Sequence, residues 1–152
     1  MKNHLHKFIT FLIIVLAINL SPFKIIIVQG LSMYPSLKDK QILIAVRTNK
    51  VNKNDVVVAY FEDSYIIKRV AYVAGDEIFY LFTNNSELPI IINKELYEKH
   101  KKNEKTASVQ KIKIDKDKVF LLGDNSELSD DSRRFGCLNT DTIKYKIILP
   151  RL

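Results

Sequence analysis

Val28-Gln29-Gly30-Leu31-Ser32-Met33-Tyr34-Pro35-Ser36-Leu37 stands just beyond the one long apolar run of the chain. The residues before it, Ile25-Ile26-Ile27-Val28, are β-branched and few, which predicts a strand rather than a helix. Gln29-Gly30-Leu31 then turns the chain into Ser32. A serine in a loop is by itself more often a turn residue than a nucleophile. What Ser32 does is therefore decided by the segments on either side.

Upstream, Met1 to Lys7 is short and basic, and Phe8 to Leu20 is apolar except for Thr10 and Asn19. A spanning helix wants about 20 apolar residues, and the run to Phe23 falls somewhat short. Local thinning of the bilayer and snorkelling of Lys7 and Lys24 offset the deficit. The region from Asn19 to Pro22 lacks a small-x-small cleavage pair, so an anchor fits better than a removed leader. Lys2 and Lys7 precede the run, which predicts a cytoplasmic N-terminus and an extracytoplasmic domain. Residues 1–24 are thus expected to form the cytoplasmic tip and anchor, and 25–152 the outer domain.

Composition narrows the chemistry. The 152 residues suit one modest domain plus an anchor, and 47% hydrophobic content argues against disorder. The formal net charge of +7 is spread through the chain and is densest from Lys94 to Lys118. No nucleic-acid module accompanies it, so a lipid bilayer is the expected partner and nucleic acid is not. Cys137 is the single cysteine, which rules out an intrachain disulfide and reads as a small hydrophobe. His4, His6 and His100 are not placed beside Ser32, and no His, Cys and carboxylate spacing of a metal site occurs. The expectation is no metal and no cofactor.

Downstream, short apolar runs alternate with polar turns. Strands are expected at Ile42–Val46, Val56–Phe61, Tyr65–Val73, Glu77–Phe82, Val109–Ile114, Val119–Leu122 and Thr142–Leu149. Ala74-Gly75-Asp76 suggests that Glu77–Phe82 folds back as a hairpin on the preceding strand. Leu88–Ile92 is a further candidate strand, and Asn93–Lys105 reads as a short helix or a charged loop. The fold class expected is mainly β: an antiparallel β-domain with one N-terminal transmembrane helix, and a small variable subregion at 83–118.

A serine hydroxyl is a weak nucleophile until a base takes its proton. With no histidine at hand, Lys68 is a candidate base. It follows Tyr65-Ile66-Ile67 in a strand, where alternate residues face opposite ways, so Lys68 and Arg69 diverge. A lysine of ordinary pKa is less than about 1% neutral at pH 8, so its pKa must fall by roughly 2 to 3 units, a cost of about 3 to 4 kcal/mol. Burial beside groups such as Ile67 can achieve that. A strand lysine is more commonly exposed, and the residues alone leave both readings open. In Ser129-Asp130-Asp131-Ser132-Arg133, a hydroxyl suits a lysine that must become neutral, whereas a touching carboxylate would favour the charged form. Ser129 is therefore matched to Lys68 and Asp131 to Arg133, whose fork fits a carboxylate. The bland alternative is a polar turn with local backbone bonds.

Taken together, these segments resemble the bacterial type I signal peptidases, which use a serine–lysine pair. Val28 to Leu37 is similar to the box carrying the nucleophile. Tyr65-Ile66-Ile67-Lys68-Arg69-Val70 with Gly75-Asp76 is similar to the box carrying the base. Gly123-Asp124-Asn125 through Ser129, Asp131-Ser132-Arg133 and Phe135-Gly136 match the last box, and Asn54-Asp55-Val56-Val57-Val58 the connecting strand. Asn54 replaces a usual glycine, and Gly30 stands where some members carry a serine that helps hold the oxyanion. The resemblance implies Ser32 as nucleophile, Lys68 as general base, and Ser129, Asp131 and Arg133 as supporting residues. It also implies substrate contacts near Gly30, Met33 and Ile67, and exported preproteins with small residues before the cut as substrates. A peptidase dedicated to a narrow client, such as a pilus or conjugation precursor, and a non-catalytic tethered binding protein of the same fold are the alternatives.

Overall fold

The computed structural model describes residues 4, 6–13, 21–102 and 108–150. Residues 6–13 are helical and exposed. Among the described residues no helix is long and apolar enough to cross a membrane. Of the expected anchor, residues 14–20 lie outside the described residues.

Among the described residues, ten strands form two antiparallel sheets. The strands are β1 (Phe23–Ile27), β2 (Ile42–Arg47), β3 (Val56–Phe61), β4 (Ser64–Val73), β5 (Glu77–Phe82), β6 (Ile90–Ile92), β7 (Ser108–Lys113), β8 (Lys118–Leu122), β9 (Leu138–Asn139) and β10 (Ile143–Leu149). The larger sheet runs β1-β2-β10-β3-β4-β8-β9 and the smaller β6-β5-β7. The mainly β expectation holds, and most strands begin within two residues of where alternation put them. The sheet takes in Phe23 and Lys24, which pair with Val46 and Ala45.

β3 is the centre of the large sheet. Its Val56-Val57-Val58-Ala59 is buried on both faces, which is why it reads as a continuous apolar run rather than an alternating one. On one face Val56 and Val58 join Val28, Met33, Leu37, Leu43, Ala45 and Ile147. On the other, Val57 and Ala59 join Val70, Val119, Leu121, Leu138 and Ile143. A third cluster, Ile78, Tyr80, Ile114 and Phe120, combines residues of β5 and β8, strands of the two sheets.

One expectation fails. β5 does not form a hairpin with β4; it pairs with β6 and β7 in the smaller sheet. The far half of β4 is already bonded to β8, from Arg69 opposite Leu122 to Val73 opposite Val119. The Asp76 carboxylate then accepts from the Val73 N–H at 3.1 Å, while Gly75 N–H donates to the Ile114 carbonyl at 2.9 Å. The chain is thereby steered away from its own strand and towards β7. Gly75 has φ +90°, a backbone that side chains rarely adopt.

The lysine-rich segment forms a helix over Lys94–Lys101, capped by the Asn93 side chain on the Leu96 N–H at 2.8 Å. None of its residues is buried, so its lysines lie on a solvated face.

Candidate active site

Ser32 lies in the turn that follows β1, and residues packed beneath the turn hold it in place. Leu37 N–H donates to the Met33 carbonyl at 2.8 Å, and both side chains are sunk in the core. The Tyr34–Pro35 bond is cis. Asn125 N–H donates to the Ser32 carbonyl at 2.9 Å, stitching the loop after β8 to this turn. Gly123 sits at the same junction. A Cβ there would lie 2.1 Å from Ser129 Oγ and 2.5 Å from the Ser32 carbonyl oxygen, closer than side chains approach. Glycine is thus what lets the Ser32 turn, the β8 loop and Ser129 meet.

Lys68 reaches the junction from β4. It pairs with Val57 across the β3–β4 ladder and so shares a face with Val57, Val70 and Leu121. Only 4% of it is exposed. Burial holds its ammonium below the ordinary value of 10.5, aided by Arg133 and opposed by Asp131 and Asp130. Among the described residues no carboxylate forms an ion pair with it. Its neighbour Arg69 points the other way and grips Asp124 with two bonds, 2.8 and 2.6 Å. The opposed directions are those the strand period requires.

The third segment is a short helix, Ser132–Phe135, whose N-cap is Asp131. Asp131 is fully buried and accepts from Arg133 Nε and Nη2, each at 2.9 Å, and from the Gly123 N–H at 3.1 Å. Burial alone would raise its carboxyl; these bonds outweigh that and hold it below the usual carboxylate range. The expected pairing of Asp131 with Arg133 is therefore present. Ser129 Oγ is buried beside Asp131, whose carboxyl it helps hold down, but it reaches no partner among the described residues with full hydrogen-bond geometry. It does not bond Lys68 here, although both groups border the Ser32 turn.

Two clefts meet at Ser32 and Lys68. One, of about 500 Å³, runs between Ile26–Gln29 and Ser64–Lys68 and is lined by Met33, Val58 and Ile67. The other opens past Gly30 towards Phe61, Glu62, Leu128 and Phe135. β4 pairs with β3 along Ser64–Arg69, but β8 joins it only from Arg69 onward. Within the large sheet, the other edge of Ser64–Lys68 is thus open beside Ser32. Gly30 has φ +86°, and its N–H is taken by Asp39 Oδ1 at 2.9 Å.

Sequence reasoning assigned no role to two residues that the site uses. Ser132 Oγ is buried and accepts from the Leu121 N–H at 3.0 Å, fixing the short helix to β8. Asp124, through Arg69, ties the β8 loop to β4. The turn signal at Gly123-Asp124-Asn125 was legible, but the long-range partner was not. Asn54, in place of glycine, has φ 73°, a conformation asparagine tolerates better than most residues. Cys137 packs against the third cluster, and burial pushes its thiol up, away from reactivity.

Ser32 and the buried Lys68 thus line the same two clefts, with an open strand edge alongside. The model of the signal peptidase family, peptidase S26, matches residues 1–150, and the chain belongs to that family. It is similar to signal peptidase IB of Staphylococcus aureus (strain N315), 34% identical over 142 residues, covering 79% of this chain and 73% of that protein. It is also similar to signal peptidase I P of Bacillus subtilis subsp. natto, 32% identical over 136 residues, covering 80% of this chain and 73% of the relative.

Proposed function

We propose that this chain is a membrane-anchored serine endopeptidase that removes signal peptides from exported preproteins, with Ser32 as nucleophile and Lys68 as general base. The observation that carries the reading is a buried lysine, without a carboxylate ion-pair partner among the described residues, on the walls of the same clefts as Ser32, in a member of the signal peptidase family.

The substrate adds as an extended strand along the open edge of Ser64–Lys68, where main-chain bonds give affinity and pockets select side chains. Small side chains before the cut enter the cleft over Met33 and Ile67. The neutral amine of Lys68 takes the proton of Ser32 Oγ as the oxygen attacks the scissile carbonyl. The backbone N–H of Ser32 is offered to the developing oxyanion. The resulting ammonium of Lys68 returns its proton to the leaving amine, and the peptide bond breaks. Lys68, neutral again, takes a proton from water; the hydroxide attacks the Ser32 ester, and the released serine oxygen recovers that proton. Ser129 steadies the lysine, while Asp131 and Arg133 brace the loop. No metal or cofactor enters these steps. The apolar run Phe8 to Leu20 anchors the domain in the bilayer, with the N-terminus cytoplasmic and the catalytic domain outside.

Reconstituted full-length chain is tested on a model preprotein beside Ser32→Ala and Lys68→Met. Loss of cleavage in both variants is expected; full activity in either removes the proposed pair.

A further inference from the structure

The two clefts that meet at Ser32 lie on opposite faces of the large sheet. Met33, Val58 and Ile67 line the first and belong with one core cluster. Phe61, Ile66 and Phe135 line the second and pack against the other cluster. The strand period makes the division. Phe61 pairs with Ser64, Ala59 with Ile66 and Val57 with Lys68, so these six side chains share one face, and Val58 and Ile67 point the other way. The open edge of Ser64–Lys68 runs between the clefts. A strand laid on that edge sends successive side chains to alternate faces. Under the mechanism proposed above, the side chain next to the cut enters the cleft over Met33 and Ile67. The second side chain before the cut then points into the other cleft, and the third returns to the first.

That second cleft encloses about 330 Å³, room for a long side chain. Phe61 and Phe135 stack within it, ring centres 4.5 Å apart, and Leu128 stands 61% exposed beside them. Two carboxylates, Glu62 and Asp130, share the lining with the buried Lys68. Asp130 is gripped by Arg134 through both of its oxygens, which occupies that guanidinium as well. Glu62 forms no ion pair among the described residues. It is held by the two-residue turn Glu62-Asp63 between Phe61 and Ser64, with φ of 46° and 60°, the backbone of a tight hairpin. We propose that this cleft is a specificity pocket for the second residue before the cut, and that Glu62 selects a lysine or an arginine there. The aliphatic stem of either lies over Phe61 and Leu128, and the cationic head meets the Glu62 carboxylate. Lys68 does not repel that head, because its catalytic form is neutral. A carboxylate in the same place faces Glu62 and Asp130 and is disfavoured. The inference deepens the peptidase reading and rests on it.

The test gives full-length protein in neutral detergent three soluble peptides that differ only at the second residue before the cut: lysine, glutamine or glutamate. The kcat/KM of each is read. Wild type is expected to favour the lysine peptide about threefold over glutamine and about tenfold over glutamate, the scale of a half-exposed ion pair and its reversal. Glu62→Gln is expected to narrow the whole range to within about twofold. Glu62→Lys is expected to invert it, an outcome that a disturbed fold does not produce. Glu77→Gln makes the same change of net charge on the other sheet and is expected to keep the wild-type range. In a second series, varied at the third residue before the cut, Glu62→Gln is expected to leave the order of substrates unchanged. Indifference of the wild type to the three peptides, an unaltered range in both Glu62 variants, or equal narrowing in Glu77→Gln overturns the pocket. An effect of Glu62 confined to the third residue overturns the register behind it. Wild type that cleaves all the peptides no faster than Ser32→Ala overturns the peptidase reading itself, and the pocket falls with it.

Discussion

The two sheets treat polar side chains in opposite ways. In and beside the large sheet, Lys68, Ser129, Asp131 and Ser132 are all buried, and all border one junction. In the small sheet and its helix no charged residue is buried, and Lys111 meets Glu77 at 2.9 Å in open solvent. Burying a charge costs several kcal/mol unless it is paired. Asp131 is paired, with Arg133 and the Gly123 N–H. Lys68 is not. A fold keeps such a residue only where stability is not what is being maximised, and the contrast points to β4 rather than to the lysine-rich segment as the seat of chemistry.

Replacing Lys68 tests that contrast most severely. Lys68→Met keeps the stem and removes the amine. It is expected to lower kcat by about 10²- to 10⁴-fold, the worth of a positioned base. Its urea midpoint is expected to stay level or rise, because an unpaired buried cation has been removed. A variant that kept its activity, or that lost stability along with it, would place Lys68 among ordinary structural residues.

Next comes Asp131. Asp131→Asn leaves Arg133 without its buried partner and is expected to cost about 3 kcal/mol in chemical denaturation. The folded-state pKa of Asp131 lies below its unfolded value of 3.8. Its contribution is therefore full above 3.8 and lost as pH falls through the folded pKa. Acid unfolding of Asp131→Asn is expected to be correspondingly less steep there. For Lys68 the folded pKa is below 10.5, so the unfolded chain binds more protons between those two values. Stability is expected to rise with pH across that interval, and the Met variant to lack the rise.

Ser129→Ala is expected to have a smaller effect. It removes a buried hydroxyl that makes no full hydrogen bond among the described residues, so stability is expected to change little. A kcat drop of about tenfold would match one hydrogen bond to the lysine of about 1.4 kcal/mol. The smallest effect belongs to the small sheet: Lys111→Gln is expected to shift neither the urea midpoint nor kcat, since exposed pairs contribute little.

The same contrast marks what was legible in the sequence. The large sheet follows from alternation and from the doubly buried run Val56–Ala59. Ser32, Lys68 and the Asp131–Arg133 pair stood out because their residue types and order are those of a known serine–lysine constellation. The path of β5 was not legible, because it depends on the Asp76 side chain and on Ile114, 38 residues beyond it. Nor was the Arg69–Asp124 bridge, which joins residues 55 apart and carries no local pattern. The two-residue β9 and the four-residue helix at Ser132 are too short to leave a period, and the helix is set by the Asp131 cap and by Ser132 on Leu121.

The most direct test of the serine–lysine mechanism is a titration of the Lys68 side chain by ¹³Cε NMR in the full-length protein, set beside the pH dependence of kcat/KM. The account predicts that Lys68 titrates below 10.5 and that activity rises with pH through the same pKa. A lysine that titrates at its ordinary value while the enzyme is already fully active at lower pH would contradict it.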